Sequence, residues 1–153
     1  MERVLQMEPK LIKKKKIALV GLWGDGRMTA GLWQDFEEKA EKTGFQATDN
    51  CGWEIRTDGE PGRDCFVGFT VEEKAPKGFQ AITLPASEYA VFDVVVANGY
   101  TSENANMNAW LETNKNTYTQ ADLGGKCYVI ECYNGRFQQG IVEVWIPLIK
   151  IGG

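Results

Sequence analysis

Apolar residues in the first third of the chain occur first as an unbroken run and then at helical spacing. Residues 17–23 are almost wholly apolar and end at a Gly-Asp-Gly segment, which predicts a largely buried strand that leaves into a loop. From Thr29 onward, apolar residues recur every three or four positions and Gly44 suits a C-terminal stop, which predicts a helix. The apolar face of this helix comprises Leu32, Trp33, Phe36 and Ala40.

The pattern then changes to short strands, and the same order of elements returns in the second half. Residues 53–57 and 65–71 flank a segment rich in Gly, Pro and Asp, which predicts a hairpin. Residues 79–84 predict a short extra strand that leads into the second half. The strand, helix, strand and strand of that half are predicted at residues 89–97, about 103–114, 126–133 and 141–147.

Landmarks in the two halves are separated by nearly constant distances along the chain. Trp110 follows Trp33 by 77 positions, and the turn residue Gly135 follows Gly59 by 76. We therefore interpret the chain as a tandem duplication of a strand-helix-strand-strand module. The first repeat covers about residues 9–74 and the second about residues 79–150, within a single domain that spans residues 1–153.

The duplication predicts the fold class. Each half has one helix and too little apolar surface to be stable alone, so both halves are expected to share one sheet. The expected architecture is α+β: a mainly antiparallel sheet with two helices on one face and a ligand pocket on the other.

Composition excludes several classes of function. The net charge is −4, but residues 1–16 carry a local charge of +4, so the rest of the chain carries −8 and is a poor partner for nucleic acid. No apolar stretch approaches the length of a membrane span and no apolar signal segment is present, so we expect no membrane association and a cytoplasmic location. The chain has no histidine, which removes Ser-His-Asp and Cys-His catalysis.

The four cysteines do not indicate a metal site. They form no C-x-x-C pair, and no histidine is present to complete a zinc site, so we expect neither a bound metal nor a cofactor. Cys65, Cys127 and Cys132 lie in apolar runs, where thiols are usually buried and reduced.

Alternation along the last two strands predicts which side chains line the free face of the sheet. Val144 and the aliphatic residues at alternate positions of the final strand point one way, whereas Glu143 and Trp145 point the other way. If the apolar sides of both strands face the helices, Glu131 and Tyr133 share the opposite face with Glu143 and Trp145. The two acids would then lie nearly opposite each other, which would raise one pKa. The alternative is that the acids are solvated and the rings merely cover the sheet.

An aromatic pocket that contains a carboxylate can serve two kinds of chemistry. Ring faces and a desolvated acid attract lipophilic cations. A glutamate with a raised pKa beside a tyrosine hydroxyl can also act as an acid or base on a bound electrophile. Trp33 and Trp110 lie on the apolar stripes of their helices, so their pattern fits core packing as well as a pocket wall.

The chain resembles the GyrI-like small-molecule-binding domains, which are also the effector-binding domains of AraC-type and MerR-type multidrug regulators in bacteria. The residues that carry the resemblance are the duplication, the segment 85–92, the Glu-x-Tyr of Glu131 and Tyr133, and the final strand around Glu143 and Trp145. The family has a central aromatic pocket with a glutamate that meets cationic drugs, and Glu131 matches that glutamate best. The resemblance assigns ligand binding to Glu131, Tyr133, Glu143, Trp145, Trp33, Trp110 and Tyr89.

The resemblance leaves three functions open. Too few residues precede the first strand for a DNA-binding domain, so we expect a stand-alone protein that binds an amphipathic, cationic, aromatic molecule. Some stand-alone members are hydrolases of cyclopropane-containing or other electrophilic natural products, which would make Glu131 and Tyr133 catalytic. Others act on a protein partner such as DNA gyrase. Whether this chain is an enzyme therefore stays open at this point.

Overall fold

The computed structural model describes residues 8–44, 51–57, 60–70, 76–121 and 128–151. These residues form one sheet of nine strands and two α-helices. The strands are β1 (Lys10–Lys14), β2 (Ile17–Gly24), β3 (Gly52–Thr57), β4 (Cys65–Thr70), β5 (Gln80–Leu84), β6 (Ser87–Val95), β7 (Tyr118–Gln120), β8 (Tyr128–Tyr133) and β9 (Ile141–Lys150). The helices are α1 (Thr29–Thr43) and α2 (Tyr100–Thr113).

The sheet is antiparallel between all of its described strand pairs. Its order is β1-β6-β9-β8-β3-β4-β2-β5, with β7 paired to the end of β9. Helix α1 lies over β2 and β4, and helix α2 lies over β6 and β7. The predicted α+β class with a mainly antiparallel sheet and two helices is therefore confirmed. Neither helix is long and apolar enough to cross a membrane, as far as the described residues go.

Both faces of the sheet are largely covered, because the sheet curls into a half-barrel. The inner face is the one that carries Trp53, Ile130 and Trp145, and it encloses an apolar core whose described members include no residue of either helix. The helix face is the opposite one, and it carries two smaller cores. Phe36 of α1 packs on Val67, and Met107 of α2 packs on Val144.

Strand register establishes the duplication at the level of single pairs. Glu54 of β3 pairs with Val67 of β4, and 77 positions later Glu131 of β8 pairs with Val144 of β9. Strands β1 and β5 lie 70 positions apart, and each pairs with the second strand of the other repeat, so the two halves exchange their first strands. A pseudo-two-fold axis therefore relates the repeats and passes between β3 and β8.

The helices do not follow the same offset as the hairpins. Helix α1 begins at Thr29 and α2 at Tyr100, 71 positions later, because the segment between helix and hairpin is longer in the second repeat and includes β7. The predicted equivalence of Trp33 and Trp110 is therefore wrong. The equivalent of Trp33 is Asn104.

The predicted grouping of Glu131, Tyr133, Glu143 and Trp145 on one face is also wrong. Directly paired residues of neighbouring strands share a face, and Glu131 pairs with Val144 while Trp145 pairs with Ile130. Glu131 and Tyr133 therefore lie on the helix face, and Glu143 and Trp145 on the inner face. The assumption behind the prediction fails because a curled sheet buries apolar residues on both faces, so an apolar row alone does not identify the helix side.

Several local predictions are confirmed. Gly44 ends α1 in the left-handed region at φ 72°, and the short extra strand before the second half is β5. Cys65 and Cys132 are buried, as predicted, whereas Cys127 lies outside the described residues. The lysine-rich start of the chain forms the edge strand β1, which the sequence pattern did not predict.

Candidate ligand-binding site

Two acidic residues occupy the centre of the helix face. Glu54 and Glu131 are direct cross-strand partners on β3 and β8. Only 3% of Glu54 and 8% of Glu131 is exposed. Two carboxylates in this position repel each other and have lost most of their hydration, so each needs hydrogen-bond donors or a cation nearby.

Glu131 is held by the tyrosine two residues later on the same face. The Tyr133 hydroxyl donates a hydrogen bond of 2.5 Å to Glu131 Oε2. Burial raises the pKa of Glu131, and repulsion by Glu54 adds to this, whereas the Tyr133 hydrogen bond and Arg56 act in the opposite direction; the net pKa is raised. The protonated and ionised forms of this carboxyl are therefore closer in free energy than they would be in water.

Glu54 is held by an indole and a guanidinium. Trp33 Nε1 donates to Glu54 Oε1 at 3.0 Å, and Arg56 Nη2 donates to Oε2 at 3.1 Å. Arg56 also places Nε 3.7 Å from Glu131 Oε1 and donates from Nη1 to the Gly26 carbonyl at 2.7 Å. Burial lowers the pKa of Arg56, but Glu54 and Glu131 outweigh that effect and raise it. One guanidinium thus serves two carboxylates, which leaves a formal charge of −1.

Two clefts open on the helix face on either side of this acid pair, and not on the opposite face, where the sequence pattern predicted the pocket. Both clefts are lined by Thr29, Glu54 and Tyr133. The α2-side cleft has a volume of about 640 Å³ and contains Glu131 and Arg56. Its remaining walls are amide and aliphatic, and come mainly from Asn104, Met107, Asn108, Val144 and Ile146. Because the clefts share three residues, a ligand in one contacts the wall of the other.

The α1-side cleft is smaller and aromatic. Its volume is about 470 Å³, and its walls include Trp33, Phe69, Tyr133 and Phe137, with Glu37 at the rim. The rings of Trp33 and Tyr133 meet edge to face at 6.2 Å, and those of Tyr133 and Phe137 at 5.0 Å. Ring faces and edges arranged in this way suit a flat or cationic aromatic group.

The two clefts are equivalent under the duplication. Offsets of 71 in the helices and 77 in the hairpins relate six lining residues of one cleft to six of the other. The pairs are Trp33 and Asn104, Glu37 and Asn108, Gly52 and Val129, Glu54 and Glu131, Phe69 and Ile146, and Tyr133 and Arg56. One of the two equivalent clefts is therefore aromatic and acidic, and the other is rich in amides.

The structure brings together three of the residues that the sequence assigns to ligand binding. Glu131, Tyr133 and Trp33 line the clefts. Trp110 instead packs on Phe92 at 5.8 Å and stacks on Tyr118 at 6.1 Å, and it lines neither cleft.

The other three lie on the inner face. Trp145 contacts Trp53 and Tyr89 edge to face at 5.1 and 5.4 Å, and Tyr89 donates from its hydroxyl to the Pro85 carbonyl at 3.3 Å. Glu143 accepts from Trp145 Nε1 at 3.1 Å and lies 3.5 Å from Arg136. These contacts make them part of the inner core and its ion pairs.

The sequence analysis missed Glu54 and Arg56 and the aromatic wall residues Phe69 and Phe137. Glu54 had a usable signal, since it precedes Glu131 by 77 positions, which is close to the spacing of the other repeat landmarks in the sequence. Arg56 had the same signal relative to Tyr133. Phe137 lies on a 3₁₀ helix (Gly135–Gln139), and no strand or helix periodicity indicates which way such a segment faces.

Comparison with known proteins agrees with this fold. The family model for Cass2, described as an integron-associated effector binding protein, matches residues 15–148. The chain belongs to the Cass2 family. Because this family is described as effector-binding, the chain is a small-molecule-binding protein. None of the curated proteins matches it.

Solved structures that are similar to this chain have the same fold at low sequence identity. SAV2435, solved bound to tetraphenylphosphonium, is 19% identical with a TM-score of 0.65 over 94% of each chain. EcmrR in a complex with DNA is 14% identical with a TM-score of 0.72, over 98% of this chain and 60% of that one. An integron cassette protein from the mobile metagenome of Vibrio cholerae is 14% identical with a TM-score of 0.52, over 93% of this chain and 96% of that one. The resemblance to the GyrI-like domains is thus confirmed.

Proposed function

We propose that the chain binds an amphipathic aromatic cation in the joined clefts, with Glu54 and Glu131 as counter-charges. The single observation that carries the proposal is the buried pair of carboxylates served by one guanidinium. Two carboxylates and one guanidinium with a net formal charge of −1, in a cleft with restricted access to water, favour a cation far more than the same charges do on an open surface.

The walls of the clefts support an aromatic ligand rather than a simple ion. Trp33, Phe69, Tyr133 and Phe137 offer ring faces and edges within reach of Glu54. The clefts, at about 470 and 640 Å³, lie in the usual range for small-molecule sites. The fold neighbour SAV2435 was solved with tetraphenylphosphonium, a cation of this type.

The test is a titration of the protein with tetraphenylphosphonium, followed by tryptophan fluorescence and calorimetry. We expect quenching of Trp33 and a dissociation constant in the micromolar range, as an order of magnitude for one ion pair plus aromatic contact. Glu131→Gln should weaken binding about tenfold, because it removes one charge without changing the shape of the site.

The matched control is Glu143→Gln, which makes the same change on the inner face. It should leave the affinity as in the wild type. Triphenylphosphine oxide, which has similar rings and no net charge, should bind more weakly than the cation. Equal affinity for the neutral compound, or an unchanged affinity in Glu131→Gln, would show that the acids are not counter-charges.

A second candidate function is hydrolysis of a strained or electrophilic natural product, and one observation favours it. The 2.5 Å hydrogen bond from Tyr133 to Glu131, together with the raised pKa of Glu131, gives the cleft a carboxyl that holds a proton more readily than a carboxyl in water does. In this function Glu131 would act as the acid or base and Tyr133 would orient it.

Turnover separates the two functions. A cyclopropane-containing alkylating compound is incubated with catalytic amounts of protein, and its loss is followed by mass spectrometry. Loss beyond one equivalent that disappears in Glu131→Gln supports a hydrolase. Depletion that stops at one equivalent supports binding alone.

A further inference from the structure

Arg56 and Tyr133 occupy equivalent positions in the two repeats but differ in charge. Arg56 precedes Tyr133 by 77 positions, and both side chains reach the acid two residues earlier on their own strand. Tyr133 presents a neutral hydroxyl to Glu131, whereas Arg56 presents a positive charge to Glu54. Tyr133 thus shows that the fold accommodates a neutral side chain at the position equivalent to that of Arg56.

The guanidinium of Arg56 lies where a ligand cation would have to lie to meet both acids. It donates to Glu54 at 3.1 Å and its Nε is 3.7 Å from Glu131. It is not sealed in, since its side chain is 41% exposed and lines the α2-side cleft. A bound cation must therefore share the carboxylates with Arg56 or displace it.

We propose that Arg56 is a specificity-determining residue: an internal cation that competes for Glu54 and Glu131 and thereby excludes cations that bring no aromatic surface. The inference rests on the proposed function, because it concerns which cations the same acids accept. Its effect is to reserve the cleft for amphipathic cations in the presence of abundant small ones.

The physical reason is that charge alone does not favour a small cation over the guanidinium. Arg56 is tethered and makes two contacts with the acids, so a free ammonium ion gains little by replacing it and loses translational freedom. An aromatic cation adds contact with Trp33, Tyr133 and their neighbours in the α1-side cleft, which the guanidinium does not reach. Only the second type of ligand has a net advantage.

A purely structural role for Arg56 predicts the opposite result. Arg56 also donates to the Gly26 carbonyl at 2.7 Å and so holds the loop before α1. If this were its only role, its removal would loosen the cleft wall near Thr29 and weaken the binding of every ligand. Competition predicts instead that its removal strengthens the binding of cations and leaves neutral compounds unaffected.

The experiment compares the wild type with Arg56→Gln and Arg56→Tyr, the latter copying the equivalent residue Tyr133. Three probes are titrated by calorimetry: tetraphenylphosphonium, tetramethylammonium, which has no ring, and triphenylphosphine oxide, which has no charge. Arg27→Gln is the matched control, because Arg27 lies in the loop that Arg56 contacts but pairs with Asp25 and is largely exposed.

In both Arg56 variants we expect the affinity for tetraphenylphosphonium to rise about tenfold, since a like charge beside the ligand is removed. Tetramethylammonium binding should become measurable only in these variants, and the affinity for the phosphine oxide should change less than twofold. Arg27→Gln should match the wild type. Weaker or unchanged cation binding in folded Arg56 variants would overturn the inference while leaving the proposed function intact.

A wild-type measurement covers the case in which the variants do not fold. The side-chain Nε–H resonance of Arg56 should shift when tetraphenylphosphonium is added, while that of Arg27 stays in place. A resonance of Arg56 that does not respond to a bound cation overturns the inference. If the wild type binds no cation at all, the proposed function fails instead.

Discussion

Glu54 and Glu131 are direct cross-strand partners, and they occupy equivalent positions in the two repeats. The pseudo-two-fold axis of the molecule therefore passes between two buried carboxylates. Like charges placed directly opposite each other destabilise a sheet. A pair at the centre of the sheet, beside a cleft and served by a single arginine, therefore costs stability, and in the proposed function it supplies the counter-charge for a cation.

The first prediction is that Glu131→Gln is more stable than the wild type at alkaline pH. The folded protein raises the pKa of Glu131 above its usual value of 4.5, so folding favours the protonated form. Between the two pKa values the folded state binds more protons than the unfolded state, and this group's contribution to stability falls as pH rises through that window. Glutamine mimics the protonated form, so the variant should gain about 1 kcal/mol near pH 8 and nothing near pH 4.5.

Urea unfolding at a series of pH values measures this difference. Glu112→Gln is the control, because Glu112 is exposed on α2 and its ion pair with Lys115 is screened by solvent. Its difference from the wild type should stay small at all pH values. A gain in Glu131→Gln that is constant with pH would contradict a titration of Glu131 in the folded state.

The second prediction concerns Tyr133→Phe. The Tyr133 hydroxyl stabilises the ionised form of Glu131, so its loss should raise the pKa of Glu131 further. Binding of tetraphenylphosphonium should then weaken several-fold at a pH where Glu131 is partly protonated, about the value of one hydrogen bond to a charged group, and recover as pH is raised. Affinity measured over a series of pH values gives the midpoint, which should move upward. Tyr118→Phe, at the edge strand β7, should leave the midpoint in place.

The third prediction separates the tryptophans of the two faces. Trp145→Phe should lower the free energy of unfolding by roughly 1–3 kcal/mol, because the indole packs between Trp53 and Tyr89 in the inner core. It should not change cation affinity. Trp33→Phe removes the donor to Glu54 and a wall of the α1-side cleft, so it should weaken binding and abolish most of the ligand-dependent quenching. Loss of binding in Trp145→Phe alone would mean that the ligand enters the inner face.

The sequence predicted the elements well because their signals are local. The helix that begins at Thr29 and ends before Gly44, and the strands that follow it, are each specified by the spacing of a few neighbouring residues. The pairing of Glu131 with Tyr133 was equally local, since residues two apart on a strand share a face. Both residues accordingly appear together in the structure.

The faces of the sheet were not predictable in the same way. A half-barrel buries Trp145 on one side and Val144 on the other, so neighbouring positions in β9 are both apolar, and alternation does not say which side meets the helices. Only the register of β8 on β9 decides this, and register is a long-range property. The single offset assumed for the repeat failed for the helices because β7 and its flanks lengthen the second half.

The last prediction tests the wall of the α1-side cleft through the backbone. Gly52 pairs with Tyr133 on β8 and with Phe69 on β4, and its missing side chain leaves room for the indole of Trp33. A Cβ at this position would lie 3.0 Å from Trp33 Cη2, closer than side chains normally pack. In Gly52→Ala the indole must therefore move by a few tenths of an ångström into the cleft, and tetraphenylphosphonium should bind several-fold more weakly.

The stability of Gly52→Ala should change by less than about 1 kcal/mol, because alanine suits a strand better than glycine and this offsets the displacement of the ring. The control is Gly31→Ala on the exposed side of α1, where a Cβ meets nothing within 4 Å. That variant should gain up to about 1 kcal/mol from helix propensity and keep the wild-type affinity. Calorimetric titration and thermal unfolding of both variants give the comparison. Unchanged binding in Gly52→Ala would show that the ligand does not touch Trp33, because a displaced indole would otherwise disturb its contact with the ligand.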